Sequence, residues 1–194
     1  WYGEPVEYES SVYYMLNKPA GTVSATEDRV HKTVIDLIYE YEESTDNAHV
    51  TVRKDLFPVG RLDIDTEGLL IITNDGDLAH RLLSPKHHVN KMYFARLDNP
   101  VTQEDVELFA NGFKVDEELT AMPSKLEILK DNKEAFITIH EGKFHQVKRM
   151  FAAVGKEVQY LKRISMGPIV LDDSLHVGEC RRLTEEEINL LKNV

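Results

Sequence analysis

Apolar residues recur along this chain in two rhythms. Helical spacing appears in "TVIDLIYEY" (33–41) behind a possible Thr33 cap, and in "HQVKRMFAAVG" (145–155), which stops on Gly155. "TQEDVELFANG" (102–112) starts on a Thr102 cap with Asp105 three residues on, as in a capping box, and ends on Asn111-Gly112. A short helix is expected over "DLAHRLL" (77–83), stopped before Pro85, and a capped final one over "TEEEINLLKN" (184–193). Strand patterns fall on "VYYML" (12–16), the buried-type run "LLIIT" (69–73), "KMYFARL" (91–97), "VQYLKRI" (158–164) and "GPIVL" (167–171). "KLEIL", the turn "KDNKE" and "AFITIH" (125–140) form the clearest β-hairpin. Hairpins mixed with isolated helices, without regular βαβ alternation, predict an α+β domain with a mainly antiparallel sheet. No linker interrupts 10–194 and no repeat or low-complexity tract occurs.

The 194 residues, 42% hydrophobic, suffice for a compact core, and no apolar run approaches the roughly 18 residues of a membrane span. The first ten residues lack the basic end and apolar centre of a signal peptide, so a cytoplasmic location is expected. Cys180, the single cysteine, has no partner for an internal disulfide and no second thiol for a structural zinc site. The net charge of −11 argues at first against a nucleic-acid partner, but the charges are unevenly spread. From Leu78 to Leu97 there is no acid, while Arg81, Lys86, Lys91 and Arg96 occur. From Glu141 to Arg163 six basic residues face only Glu141 and Glu157. These stretches read either as solvated surface or as an anion-facing wall.

Candidate chemistry concentrates in "GRLDIDTEGLLIITNDGD" (60–77), with four Asp and one Glu. Asp63, Asp65, Glu67 and Gly68 imitate the opening of a calcium loop. The twelfth position, however, is Asn74 where a bidentate Glu is needed, and Pro58 and Gly60 stand where a helix should enter. "HEGKFH" resembles a zinc-protease motif, but His140 and His145 are five residues apart instead of four, which on a helix turns the second about 140° away from the first. Asp63 and Asp65 on an extended segment would point the same way at about 7 Å, a spacing an inverting glycosidase can use. They could equally shape the turn into "GLLIIT". Residue pattern alone leaves both options open.

Wider context adds a family resemblance. "FPVGRLDIDTEGLLIITNDG" resembles the catalytic motif of the RsuA-type pseudouridine synthases of ribosomal RNA. The likeness begins at "YMLNKPAGTVSAT" and runs on through "LAHRLLSPKHHVNKMYFARL", "EGKFHQVKRMFAAVG" and "LKRISMGPIVLDDSLHVGECRRLT". It implies the pseudouridine synthase fold, a mixed sheet flanked by helices around a central cleft, and isomerisation of uridine within RNA without cofactor or metal. It places the essential carboxylate on Asp63, where it can act as nucleophile or base on a base taken out of the stack, with Asp65 supporting the loop. It makes Tyr93 the aromatic packed on the uracil. Lys148 takes the position of the basic residue that pairs with the catalytic Asp, where the family often has Arg, with Arg149 its neighbour. Arg61 takes the place of an Arg that fills the space left by the flipped nucleotide, and Leu161 a place in the apolar wall. Substrate contacts are therefore expected from Arg61, Lys91, Arg149 and Leu161, with the basic stretches as RNA-facing walls.

The resemblance implies ribosomal RNA or an assembly intermediate as partner, small-subunit 16S RNA ahead of large-subunit 23S RNA, and a monomer by default. The rivals are an rRNA-binding module that modifies nothing and an N-glycosidase that releases free uracil. Members of the family commonly carry a small N-terminal S4-type RNA-binding domain. From the Trp1 start, residues 1–9 are expected to be a linker remnant of such a missing domain, and 10–194 the catalytic domain.

Overall fold

Continuous apolar strands need cover on both faces, and alternating ones on a single face; this chain uses both in one sheet. The computed structural model describes residues 11–45 and 55–194, so the expected linker 1–9 lies outside the described residues. The main sheet runs in the order β11 (Cys180–Arg182), β1 (Tyr13–Lys18), β3 (Glu67–Thr73), β9 (Val158–Met166), β4 (Lys91–Leu97), β8 (Glu134–Ile139) and β7 (Lys125–Ile128). β2 (Phe57–Pro58) adds to β3 and β10 (Ile169–Val170) to β9, while β5 (Phe113–Lys114) and β6 (Thr120–Ala121) form a separate small hairpin. Pairing is antiparallel except between β3 and β9, which run parallel over Glu67↔Lys162 and Gly68↔Arg163. The expected α+β, mainly antiparallel architecture is therefore present, with one parallel junction at its centre.

All six β1 residues are buried because the two faces pack into separate cores. On one face Tyr14, Leu16, Leu70 and Ile72 join Tyr93, Ile137 and Leu161, covered by Ile35 and Ile38 of α1 (Val34–Ser44), Phe109 of α3 (Gln103–Asn111), and Met150 and Phe151 of α4 (Gln146–Ala153). On the other, Met15, Leu69 and Ile71 pack with Leu78 and Leu82 of α2 (Gly76–Leu83) and Leu191 of α5 (Glu185–Lys192). Toward the far edge β8 alternates between half-buried and buried residues, as a one-sided strand should.

Capping boxes occur at Thr33/Asp36, Thr102/Asp105 and Thr184/Glu187, each satisfying first-turn amides that would otherwise lack partners. β4 and β9 slip register at the middle of the sheet. Met92 opposes Ser165 but Tyr93 opposes Arg163, so Ile164 is one residue extra on β9. Such a bulge re-aims the side chains beside it, and here Tyr93 is beside it.

Candidate active site

The segment carrying Asp63 joins β2 to β3 and has almost no regular structure of its own, so its shape depends on groups from elsewhere. Thr66 N–H donates to the Asp63 carbonyl (3.0 Å), closing a tight turn. Lys18, at the end of β1 and fully buried, reaches under that turn: its ammonium donates to the carbonyls of Pro19 (3.0 Å), Ile64 (3.3 Å) and Thr66 (2.9 Å). Three donors meet three carbonyls, which only the charged amine can do. Burial pushes the Lys18 pKa down to about 8 against the opposing pull of Asp65 and Asp63, leaving it protonated at neutral pH. Gly21 N–H donates to the Ile64 carbonyl (2.7 Å). The Ser24 hydroxyl donates to the Leu62 carbonyl (2.9 Å) and accepts from its N–H (3.0 Å). Lys18 and Ser24 were not singled out in the sequence; the signal was the "NKPAGTVS" run itself, whose polar residues are buried in the fold.

Opposite this turn stands the start of α4. Its N-cap, His145, has φ 48° and ψ 31°, left-handed for a residue with a side chain, and makes no side-chain cap bond. That conformation costs on the order of 1 kcal/mol and persists only where neighbours hold it. Gln146 N–H donates to the Lys143 carbonyl (3.1 Å), Lys143 N–H to Gln146 Oε1 (3.1 Å), and Arg149 Nη1 to the Phe144 carbonyl (3.2 Å). The result brings the imidazole to Asp63, His145 Nε2 lying 3.3 Å from Oδ1. One helical turn on, Lys148 Nζ lies 3.1 Å from Asp63 Oδ2 and 2.5 Å from Asp65 Oδ1. Burial opposes the charge on Lys148, but hydrogen bonds to Asp65 and Asp63 outweigh it and raise its pKa. The Lys148 hydrogen bond in turn lowers the pKa of the Asp65 carboxyl.

Asp63, Arg61, Tyr93, Leu161, His145 and Lys148 line one cavity of about 70 Å³, with Thr66 and Ile139 completing its floor. Tyr93 is 8% exposed, and its hydroxyl makes no hydrogen bond with a described residue. Arg61 is exposed at the rim and likewise makes no hydrogen bond or ion pair among the described residues. A carboxylate fixed between an imidazole and an ammonium group, facing a flat aromatic and two aliphatic side chains, can receive a planar polar ring and act on the atom beside it. The calcium reading of this segment meets a further objection, since both Asp63 and Asp65 are engaged by the Lys148 cation.

Two expected contact residues are elsewhere. Lys91 is buried at 7% exposure and its ammonium donates to the Val89 carbonyl (3.3 Å); an RNA phosphate does not reach a group so placed. Arg149 forks onto Asp116, Nε to Oδ2 at 2.7 Å and Nη2 to Oδ1 at 2.6 Å, so its planar donors are already engaged by a carboxylate of the chain itself. The basic walls shrink for the same reason: Arg163 is buried, and Lys156 pairs with Asp105 at 2.8 Å, both side chains 9% exposed. His145, passed over as half of an imperfect zinc motif, is instead a neighbour of Asp63.

Burial first, then Arg163, pushes the Lys91 pKa down from 10.5 to about 8. Between those values the unfolded chain binds more protons, so the stability of the native protein rises with pH across that window. Lys91→Met is therefore expected to stabilise by about 2 kcal/mol at pH 7. The gain should shrink as pH rises from about 8 toward 10.5, with RNA affinity unchanged throughout. Paired urea unfolding curves at pH 7 and at the top of that window check the sign, because all other titrations are common to both variants.

A family model described as RNA pseudouridylate synthase matches residues 12–153. The chain is 49% identical over 193 residues to the uncharacterized RNA pseudouridine synthase YtzG of Bacillus subtilis, covering 98% of this chain and 77% of that one. It is 45% identical over 177 residues to ribosomal small subunit pseudouridine synthase A of Escherichia coli K12, covering 91% and 72%. A crystal structure of a pseudouridylate synthase matches with a TM-score of 0.82 at 40% identity, over 95% of this chain and 75% of that one.

Proposed function

The chain belongs to the RNA pseudouridylate synthase family, and from that premise we propose that it isomerises one uridine of small-subunit 16S ribosomal RNA with Asp63 as the reacting carboxylate. Relatives named for the ribosomal small subunit, at 43 to 45% identity, support the choice of RNA. The observation that carries the choice of residue is the cavity, in which the Asp63 carboxylate stands across from Tyr93 and Leu161 and is gripped by Lys148.

In the reaction the N1–C1′ glycosidic bond breaks, the detached ring turns, and C5 bonds to C1′. The C5 proton leaves and N1 gains one, so atoms and oxidation state balance without a redox partner. Such a sequence needs a carboxylate held in place close to the sugar, and a wall that retains the loose ring. Lys148 serves the first need by fixing the Asp63 carboxylate with its ammonium at 3.1 Å. Tyr93, beside the bulge where β4 meets β9, and Leu161, which opposes Ala95 two residues along β4, serve the second. The nucleotide enters only if it leaves its stack, because the cavity lies behind the rim, and Arg61 stands at that rim with its guanidinium uncommitted to any described residue. Within this reading residues 10–194 are the catalytic domain and the partner is ribosomal RNA or an assembly intermediate.

Small-subunit RNA labelled with tritium at uridine C5 is expected to release one equivalent of tritium and no free base, with large-subunit RNA inert. Free uracil would make the protein a glycosidase. Binding without release, on naked RNA and on assembly intermediates alike, would make it a binding module. Release from large-subunit RNA alone would move the substrate to the other subunit.

A further inference from the structure

Phe144 differs from the other aromatic residues near the cavity. Tyr93 is 8% exposed, whereas Phe144 is 75% exposed and lies flat on the His145 ring, with centroids 3.8 Å apart and planes 16° from parallel. An exposed phenyl ring is an apolar surface left in water, and apolar surface is normally buried unless something else covers it. Its support is rigid. The Phe144 carbonyl accepts from Arg149, Arg149 is locked to Asp116, and the Gln146 amide holds Lys143 on the other side. The ring beneath it, His145, touches Asp63. A stacking surface is thus mounted on the lip of the cavity, one residue away from the group that meets the reacting carboxylate.

We propose that Phe144, stacked on His145, is the platform for the nucleobase adjacent to the isomerised uridine. The inference rests on the RNA reading of Asp63 given above and adds the place where the rest of the strand is held. Turning a nucleotide out of a stack leaves its neighbour with an uncovered π face at the mouth of the site. An aromatic side chain covers such a face with little regard to base identity, contributing about 5- to 100-fold in affinity per base. Two cations stand near the platform: Lys143, half exposed and 3.4 Å from Glu141, and Arg61, uncommitted among the described residues. The other explanation for Phe144, that it only orients His145, predicts an effect on rate and none on binding.

The test measures filter binding of small-subunit ribosomal RNA across a salt series, together with single-turnover tritium release at saturating RNA. Phe144→Ala is expected to weaken binding about 5- to 100-fold at every salt concentration, since stacking carries no charge, with the slope of log affinity against log salt unchanged. Phe144→Trp should restore the affinity, and the loss should fall on affinity far more than on the saturated rate. Unchanged affinity, a shallower salt slope, or a loss confined to the saturated rate would each overturn the platform. An Asp63→Asn arm separates the two ideas. If that variant still released tritium, the role of Asp63 would fall while the binding comparison at Phe144 kept its meaning.

Discussion

Asp63→Asn is expected to lower single-turnover tritium release by about 10⁴-fold or more, the scale seen when the group that attacks or takes a proton is lost from a site that otherwise stays assembled. The amide has nearly the size of the carboxylate and can still contact Lys148 and His145, so the fold and the cavity should survive. Binding should hold within about threefold, since one negative charge is removed from an RNA-facing surface. Asp65 supplies the contrast. It shares Lys148 with Asp63, but its side chain is 67% exposed against 25% for Asp63. An exposed pair of this kind contributes about 1 kcal/mol at most, so Asp65→Asn should cost no more than roughly fivefold in rate. Equal damage at the two positions would sink the assignment, because the cavity would then no longer distinguish a reacting carboxylate from a supporting one. Measuring both variants on the same RNA preparation, with circular dichroism to confirm folding, settles the comparison.

What could be read from the sequence was local. The cap at Thr33 and the capping box at Thr102 depend on a side chain and an amide three residues apart, and the hairpin of β7 and β8 depends on strand alternation around a short turn. All are complete within a few residues, and each was found where the pattern put it. Asp63 was singled out because several long motifs surround it. The missing parts depend on contacts between distant segments. Nothing near Lys18 shows that its ammonium will hold three carbonyls, two of them more than forty residues away. The left-handed turn at His145 follows from Gln146 and Arg149 reaching back to the preceding loop, and Arg149 is itself anchored by Asp116, 33 residues earlier. Lys91 and Arg149 misled for the same reason. A stretch poor in acids shows only that few local carboxylates pair with its cations, and the fold brought Asp116 to Arg149 from afar while burying Lys91 with none. Sequence patterns single out the carboxylate proposed to react more readily than the groups that hold it.

Gly68→Ala is expected to cost more than about 4 kcal/mol and to leave little soluble, folded protein. Gly68 sits at the parallel junction of β3 and β9 with φ +104°, and a Cβ there would lie 2.2 Å from the Arg163 carbonyl oxygen and 2.6 Å from its amide nitrogen. Both are backbone atoms, so relief requires the two strands to separate. Separation would also pull Arg163 Nε from the Leu69 carbonyl, a 2.7 Å bond made by a side chain with only 2% exposure, exposing an already under-satisfied buried guanidinium to further loss. Gly155 is the control. Its φ is +74°, but nothing lies within 4 Å of where its Cβ would be. Gly155→Ala should therefore incur only the backbone strain, about 1 kcal/mol. Urea midpoints for the two variants decide the matter, and similar losses would mean that close strand approach at Gly68 is not what the glycine provides. If the difference holds, the junction also shapes the cavity: β3 begins where the Asp63 turn ends and β9 carries Leu161, so the closeness allowed by one absent methyl group sets the carboxylate proposed to react against the proposed apolar wall.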